Sequence, residues 1–356
     1  MFISQIVVVK ETRSGEGRVT LTPEAVAKFI AKHKVRVLIE SNAGLNAGFS
    51  NEAYIKAGAE ILELTPKGFP ANSLILRVKR GTLERELLEN KLFHENTAMI
   101  GFLDPFISGD HIEAWRTLGL TTFSHELFKT LSTQDPKNAQ AAMSRIAGKL
   151  AFQDALKRYK GQSPIKLTVL GTGPAAISAA VEAKKQGIPV QLFGRTDRYR
   201  VEIESAGIIY HYFPTSNQAQ YLQPFLKDQS IVIAAARVPK EKAPILIDDK
   251  NLAILPQGAI VVDLAVSEGG NVIGSKSDQV VTYKHVSIVN ISGYPKAEPK
   301  EASEAFSSCM LSLLGEILSL KGELLEDGLL NECWVTRKGQ LNPIITDRIG
   351  KIRSKL

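Results

Sequence analysis

The chain alternates short apolar runs with amphipathic stretches, and this alternation predicts an α/β fold. QIVVVK, RVLIE, LILRV and AMIGFL have strand length and are nearly continuous in apolar side chains, as strands covered on both faces are. PEAVAKFIAKH follows the first of them with apolar positions at helical spacing. It opens at Thr22-Pro23-Glu24, where Thr22 can cap the first turn and Pro23 stands where a missing N–H costs nothing. SNEAYIKAGAEI reads as a second helix. Strand and helix in turn imply crossover connections and a parallel sheet.

A longer helical pattern, NAQAAMSRIAGKLAFQDALKRY, occupies residues 138–160 and is broken by Gly161 and Pro164. Beyond it KLTVLG, PVQLF, SIVIAAA, AIVVDLAV and VSIVNI recur at regular spacing, as the strands of a second doubly wound sheet would. After Pro295 the pattern turns helical again in EASEAFSSCMLSLLGEILSL, which is expected to return to the first domain. The predicted fold is therefore α/β, with two Rossmann-like doubly wound parallel-sheet domains joined by a long helix. Residues 1–137 with 302–356 form the first, and residues 138–301 the second.

Composition narrows the function. With 44% hydrophobic and 23% charged residues, the chain is an ordinary globular one. No apolar run reaches the roughly 18 residues that a membrane span needs, and MFISQIVVVKE reads as a first strand rather than a signal peptide. Cys309 and Cys333 are far apart with no CxxC, so neither a disulfide framework nor a metal site is expected, which fits a cytoplasmic setting. The net charge of +7 is dispersed apart from a tail at Lys351, Arg353 and Lys355, and no nucleic-acid motif accompanies it. Anionic ligands or an acidic partner surface suit this balance better than a nucleic-acid groove.

The stretch PIKLTVLGTGPAAISAAVEAKKQGIPVQLFGRTDRYR carries the chemistry. Gly171, Gly173 and Ala176 form a GxGxxA pattern between a predicted strand and a helix that begins at Pro174. Such a turn needs glycine first for its tightness and second for backbone approach to a pyrophosphate. A small third residue lets helix and strand pack closely, and the helix N-terminus offers free N–H groups to the phosphates. After the next strand, NAD sites carry a carboxylate for the adenosine ribose. Here Gly194, Arg195 and Thr196 follow instead. Loss of the carboxylate with gain of an arginine suits a 2′-phosphate and hence NADP. Alternatively, Arg195 is a solvated turn residue and Asp197 reaches the ribose, which keeps NAD open.

Several blocks in one order resemble the alanine dehydrogenase and nicotinamide nucleotide transhydrogenase α-subunit family over nearly the whole chain. They are KETRSGEGRVTLTPEAV, ESNAGLNAGFSNEAYIKAGAEI, LILRVKR, MIGFLDP, SRIAGKLAFQDAL, the glycine fingerprint, AAARVPKEKAPILI, IVVDLAVSEGGN, VSIVNISGYP and ECWVTRKGQL. GFLDPF, VDLAVSEGGN and WVTRKGQL look closer to the transhydrogenase branch. That likeness implies a cofactor-binding component without membrane helices, passing hydride between NADH and the NADP held by a partner subunit, with coupled proton movement. It further implies membrane and NADP-binding partner subunits, a homodimer, and a peripheral place at the inner membrane through those partners.

The resemblance also assigns residues. Arg18 matches the arginine that holds the substrate carboxylate in the dehydrogenases, and Arg77 replaces their lysine; these two are the candidate catalytic residues. Asp263, Val266, Glu268 and Asn290 fall in the blocks that line the cofactor, with the Glu268–Asn271 turn near the nicotinamide ribose. The pattern departs from the family at Asp104 and Ser267, where the dehydrogenases carry histidine and aspartate. It departs again at Thr133, Asp135 and Asn138, where transhydrogenases carry an Arg–Gln–Asp set, and at Gly194, usually aspartate. Read from the residues alone, Arg18 could be a salt-bridging loop residue, Arg77 a solvated strand-end charge and Asp263 a cap. The leading expectation is a transhydrogenase α-subunit component. The alternatives are a stand-alone NADP-dependent amino-acid or imino-acid dehydrogenase and a dinucleotide-binding paralogue without catalysis.

Overall fold

The computed structural model describes residues 3–94, 96–107, 109–161, 164–238, 242–319 and 328–347; the basic tail at Lys351, Arg353 and Lys355 lies outside them. The chain opens with β1 (Gln5–Val8), α1 (Pro23–His33), β2 (Arg36–Glu40), α2 (Asn51–Lys56), β3 (Glu60–Leu62), β4 (Ser73–Lys79) and α3 (Leu83–Glu89). It continues through β5 (Ala98–Phe102), α4 (Gly109–Thr117), β6 (Thr121–Ser124) and the long α5 (Ala139–Arg158). The middle stretch holds β7 (Leu167–Leu170), α6 (Pro174–Lys185), β8 (Val190–Gly194), α7 (Arg200–Ser205), β9 (Ile209–Tyr212), α8 (Gln218–Leu226) and β10 (Ile231–Ala234). Then come α9 (Asp249–Ile254), β11 (Ile260–Asp263), β12 (Val280–Tyr283), β13 (Val286–Val289), α10 (Pro299–Ser319), α11 (Leu330–Cys333), β14 (Trp334–Arg337) and β15 (Gln340–Leu341).

Two compact units result, Met1–Ala142 with Glu298–Leu356, and Met143–Ala297. The first carries an eight-stranded sheet in the order β15-β14-β6-β5-β4-β1-β2-β3. Its strands from β6 to β3 pair in parallel, with Ile6 opposite Val37 and Leu74, while β14 joins β6 antiparallel. The second carries seven strands in the order β12-β13-β11-β10-β7-β8-β9, parallel except for the edge pair β12–β13. Both sheets are thus mixed but mostly parallel, with buried central strands such as IVVD in β11 and LTVL in β7.

The caps follow the sequence. Thr22 accepts from the Ala25 amide and opens α1 with Pro23 in its first turn. The returning α10 is fastened to the first unit where the Val19 and Thr22 amides donate to Ser303 Oγ and Ser307 Oγ, both at 2.9 Å.

One expectation is corrected. SNEAYIKAGAEI is not a single helix, because α2 stops at Lys56, Gly58 takes φ +93° and the remaining residues form edge strand β3 beside β2. Glycine reaches that left-handed backbone without the Cβ strain that other residues meet.

Candidate functional site

In the second sheet the strand order reverses at β7, which has β8 on one side and β10 on the other. The crevice outside the carboxyl ends of such strands is where open α/β sheets take ligands. Here it is a two-lobed groove. One lobe, about 590 Å³, is lined by Thr172, Arg195, Thr196, Tyr212 and Gln218. The other, about 310 Å³, is lined by Val266, Ser267, Glu268, Asn290 and Tyr294. Gly173, Ala235 and Arg237 line both lobes and mark the waist.

The turn from β7 to α6 builds that waist. Gly171 has φ +118°, and a Cβ there would come 2.7 Å from the Ala235 carbonyl oxygen, so only glycine lets β7 turn this close to the end of β10. Gly173 caps α6 in extended conformation, and a Cβ built on it meets nothing within 4 Å. The space it leaves is the groove itself. Pro174 takes the first helical position, and Ala176 is fully buried with Ala179, Ala180 and Ala183 on the face that α6 lays on the sheet. Free N–H groups at the start of α6 therefore face a waist that Arg237, paired with Glu268, also lines, and helix starts of this kind suit an anion. A residue missed in the sequence completes it. Gly148 in α5 lies so close that a Cβ would stand 1.9 Å from the Ala175 carbonyl oxygen. It lets the backbone of α5 support the first turn of α6.

At the end of β8 the arrangement is specific. A Cβ on Gly194 would fall 2.2 Å from Thr172 Cγ2 and 2.7 Å from the Tyr210 hydroxyl. That hydroxyl donates to the Thr196 carbonyl at 2.8 Å, and burial pushes its pKa above the usual tyrosine value. Arg195 is exposed on the groove and makes no ion pair among the described residues. Asp197 does not line the groove; it faces Arg200 at 3.8 Å.

The far lobe is held from behind. Asp263 is fully buried and does not line the groove. Its carboxylate accepts from the amides of Ala265, Asn271 and Val272 at 2.9, 3.0 and 3.1 Å, and burial still raises its pKa. It therefore closes the loop that carries Val266 and Glu268. Asn290 donates to the Asp263 carbonyl at 2.7 Å and accepts from the Asp278 amide. Asn271, the last residue of the Glu268–Asn271 turn, donates to the carbonyls of Ala236 and Pro244 and accepts from the Ala236 amide. Glu268 accepts from Arg237 Nε at 2.6 Å.

The two candidate catalytic arginines lie in the first unit and in a different condition. Arg18 is 5% exposed, and its Nε and Nη2 donate to both oxygens of Glu16 at 2.7 and 2.6 Å. Arg77 is 2% exposed, which corrects its reading as a solvated strand-end charge. It donates to Glu86 Oε1 at 2.6 Å and to both oxygens of Glu89 at 2.9 and 2.7 Å. Gly101 of β5 makes room for it, since a Cβ there would meet Arg77 Cγ at 2.7 Å. Arg85 joins Glu89 to Glu40, and Trp115 Nε1 donates to the second oxygen of Glu86. Burial alone would lower the Arg77 pKa, but Glu89, Glu86 and Glu11 more than offset it and hold the guanidinium charged.

Glu11 accepts from the amides of Val78 and Lys79. Burial lifts its pKa to about 7, opposed by Arg77 and aided by Glu16. The sequence does carry a signal for the Arg77 cluster, because Glu86 and Glu89 stand three apart, on one face of α3. Of the positions that depart from the family pattern, Asp104 pairs with Arg13, Lys79 and Arg80 at 3.1, 3.4 and 3.5 Å. Asn138 caps α5 by accepting from the Ala141 amide, and Asp135 accepts from the Lys137 amide.

These features define a class, a two-unit α/β protein with a phosphate-type cradle at the switch point of its second sheet. The chain belongs to the alanine dehydrogenase/PNT family, whose N-terminal domain model matches residues 7–147 and whose C-terminal domain model matches residues 145–343. A relative from Rickettsia prowazekii (strain Madrid E), the first part of an NAD(P) transhydrogenase subunit alpha, is 27% identical over 379 residues, spanning 98% of this chain and 99% of that protein. The alanine dehydrogenase of Bacillus subtilis (strain 168) is 28% identical over 325 residues, 85% of this chain and 82% of that one. Among solved structures, a transhydrogenase from Sinorhizobium meliloti superposes with a TM-score of 0.85 at 25% identity, over 95% of this chain and 100% of its own. An L-alanine dehydrogenase shares the fold, with a TM-score of 0.83 at 22% identity, over 98% of this chain and 99% of its own.

Proposed function

We propose that the chain is an oxidoreductase component of the transhydrogenase α-subunit type, which binds a nicotinamide dinucleotide in the groove and exchanges hydride with a dinucleotide held by a partner subunit. When bound, the dinucleotide supplies a hydride donor or acceptor at C4 of its nicotinamide ring. The protein's part is placement. Gly171, Gly173 and Pro174 present the start of α6 to the pyrophosphate, and Ala176 keeps that helix against the sheet. Gly194, Arg195 and Thr196 border the adenosine half. Val266, Glu268 and Asn290 border the nicotinamide half, with Asp263 closing the loop of Val266 and Glu268 and accepting from Asn290. In this reading the membrane and NADP-binding subunits of a transhydrogenase are the partners, proton movement is coupled through them, and two copies of the chain associate. No described helix is long and apolar enough to cross a membrane, so membrane association would come through those partners.

The observation that carries this reading over an amino-acid dehydrogenase is the state of Arg18 and Arg77. Their guanidinium groups face Glu16, Glu86 and Glu89 at hydrogen-bonding distance, which leaves them poorly placed to hold a substrate carboxylate. The test is hydride exchange by the full chain mixed with transhydrogenase membrane and NADP-binding subunits, in every pairing of reduced donor and oxidised acceptor analogue. Exchange that depends on this chain is expected. Intact dinucleotide binding with no exchange in any pairing would overturn the reading. A stand-alone NADP-dependent dehydrogenase is favoured by Arg195 alone, and turnover of a 2-oxo acid with NADPH and ammonia would establish it instead.

A further inference from the structure

We infer that the adenosine lobe of the groove selects a 2′-phosphorylated dinucleotide, NADP(H), with Thr172, Gly194 and Tyr210 excluding the ribose-binding carboxylate and Arg195 serving as the phosphate ligand. The inference rests on the reading that the groove takes a nicotinamide dinucleotide. It goes beyond that reading by giving NADP(H) to this chain, where the family likeness implies NADH, so that the partner subunit would hold the NAD(H) with which hydride is exchanged.

Three observations carry it. First, the place where a carboxylate would meet the ribose hydroxyls is filled. Any side chain at Gly194 would press on Thr172 Cγ2 at 2.2 Å and on the Tyr210 hydroxyl at 2.7 Å. Tyr210 cannot yield without breaking its bond to the Thr196 carbonyl. Second, the nearest acidic side chain in sequence, Asp197, is not among the lining residues and pairs with Arg200. Among the described residues, no Asp or Glu lines this lobe. Third, two arginines do line it. Arg237 is engaged by Glu268, whereas Arg195 has no ion-pair partner among the described residues. A groove end without negative charge but with one exposed guanidinium and the neighbouring Thr196 offers charge-assisted hydrogen bonds to a phosphate dianion. It offers little to a bare ribose.

The test is equilibrium titration of the full chain with NADPH and with NADH, followed by nicotinamide fluorescence, on the wild type and on Arg195→Gln. Arg195 is on the surface, so the variant keeps the fold. NADPH is expected to bind at least ~10-fold tighter than NADH, the range that one or two charge-assisted hydrogen bonds supply. Arg195→Gln should remove ~10-fold or more of the NADPH affinity and change NADH less than about twofold. Competition by 2′,5′-ADP against 5′-ADP isolates the adenosine lobe, and the 2′-phosphorylated compound should compete better. NADH binding as tightly as NADPH, or an NADPH affinity untouched by Arg195→Gln, would overturn the inference and leave the dinucleotide reading standing. Binding of neither dinucleotide would overturn both.

Discussion

Arg77 and Arg195 carry the same charge in the two halves of one chain, and their surroundings give them opposite uses. Arg77 is buried on β4, with Glu86 and Glu89 of α3 on its nitrogens. Arg195 lies at the exposed edge of a groove with no ion-pair partner among the described residues. A buried guanidinium needs its carboxylates, because each ion removed from water costs several kcal/mol unless it is matched. An exposed one near a phosphate-type cradle is available to a ligand. Both units have a mostly parallel sheet with turns at its carboxyl edge, so the fold alone does not decide which unit does the chemistry. The charged groups differ, with Arg77 paired in the first unit and Arg195 open in the second.

The contrast is most exposed to failure at Arg77, where the largest effect is expected. Removing it leaves Glu86 buried without a cation and Glu89 with Arg85 alone, so Arg77→Ala should destabilise the protein by about 3–5 kcal/mol in chemical unfolding. Replacing the cluster together, as Arg77→Met with Glu86→Gln and Glu89→Leu, should restore much of that. If Arg77 were a free substrate ligand, the single change would cost less than about 1 kcal/mol.

A smaller effect lies under the groove. Gly148→Ala drives a methyl against the Ala175 carbonyl oxygen at 1.9 Å. Overpacking of this kind costs about 1–3 kcal/mol, and here it also displaces the helix start that would meet phosphates. Calorimetric titration should find dinucleotide binding weakened in parallel with stability; full affinity would show that α6 does not need the support of α5.

The smallest effect is in pH. Folded Glu11 takes its proton near pH 7, against an ordinary value of 4.5. The folded state therefore binds more protons between those values. The contribution of Glu11 to stability is full below the lower one and fades as pH rises through about 7. Between about pH 5 and pH 8 the wild type should lose stability relative to Glu11→Gln. Parallel curves for the two proteins would contradict the assignment.

How much of this the sequence revealed depended on whether a constraint was local. Central strands such as IVVD and LTVL were legible, because burial on both faces forces continuous apolar runs. Edge strands were not. β9 and β12 have half-exposed patterns and few residues, and β15 has only two. The glycines of the β7–α6 turn were legible because their GxGxxA spacing, between a strand and a helix, sits within six residues. Gly148, Thr172 and Tyr210 act on groups far away in sequence, so no window around them carries the signal. The pairing of Arg77 was half legible, through the spacing of Glu86 and Glu89, but only the burial of β4 makes those carboxylates obligatory partners.

All of this turns on whether the ligand chemistry belongs to the cradle at the start of α6. Gly173→Ala probes that cradle without disturbing its surroundings, because the added methyl touches no protein atom within 4 Å and projects into the groove. Calorimetric titration of wild type and variant with NADPH and NADH, beside their unfolding curves, should find stability within about 1 kcal/mol and dinucleotide affinity lowered by about tenfold or more. Undiminished affinity in the variant would mean that no phosphate approaches Gly173, and that the groove is not the site.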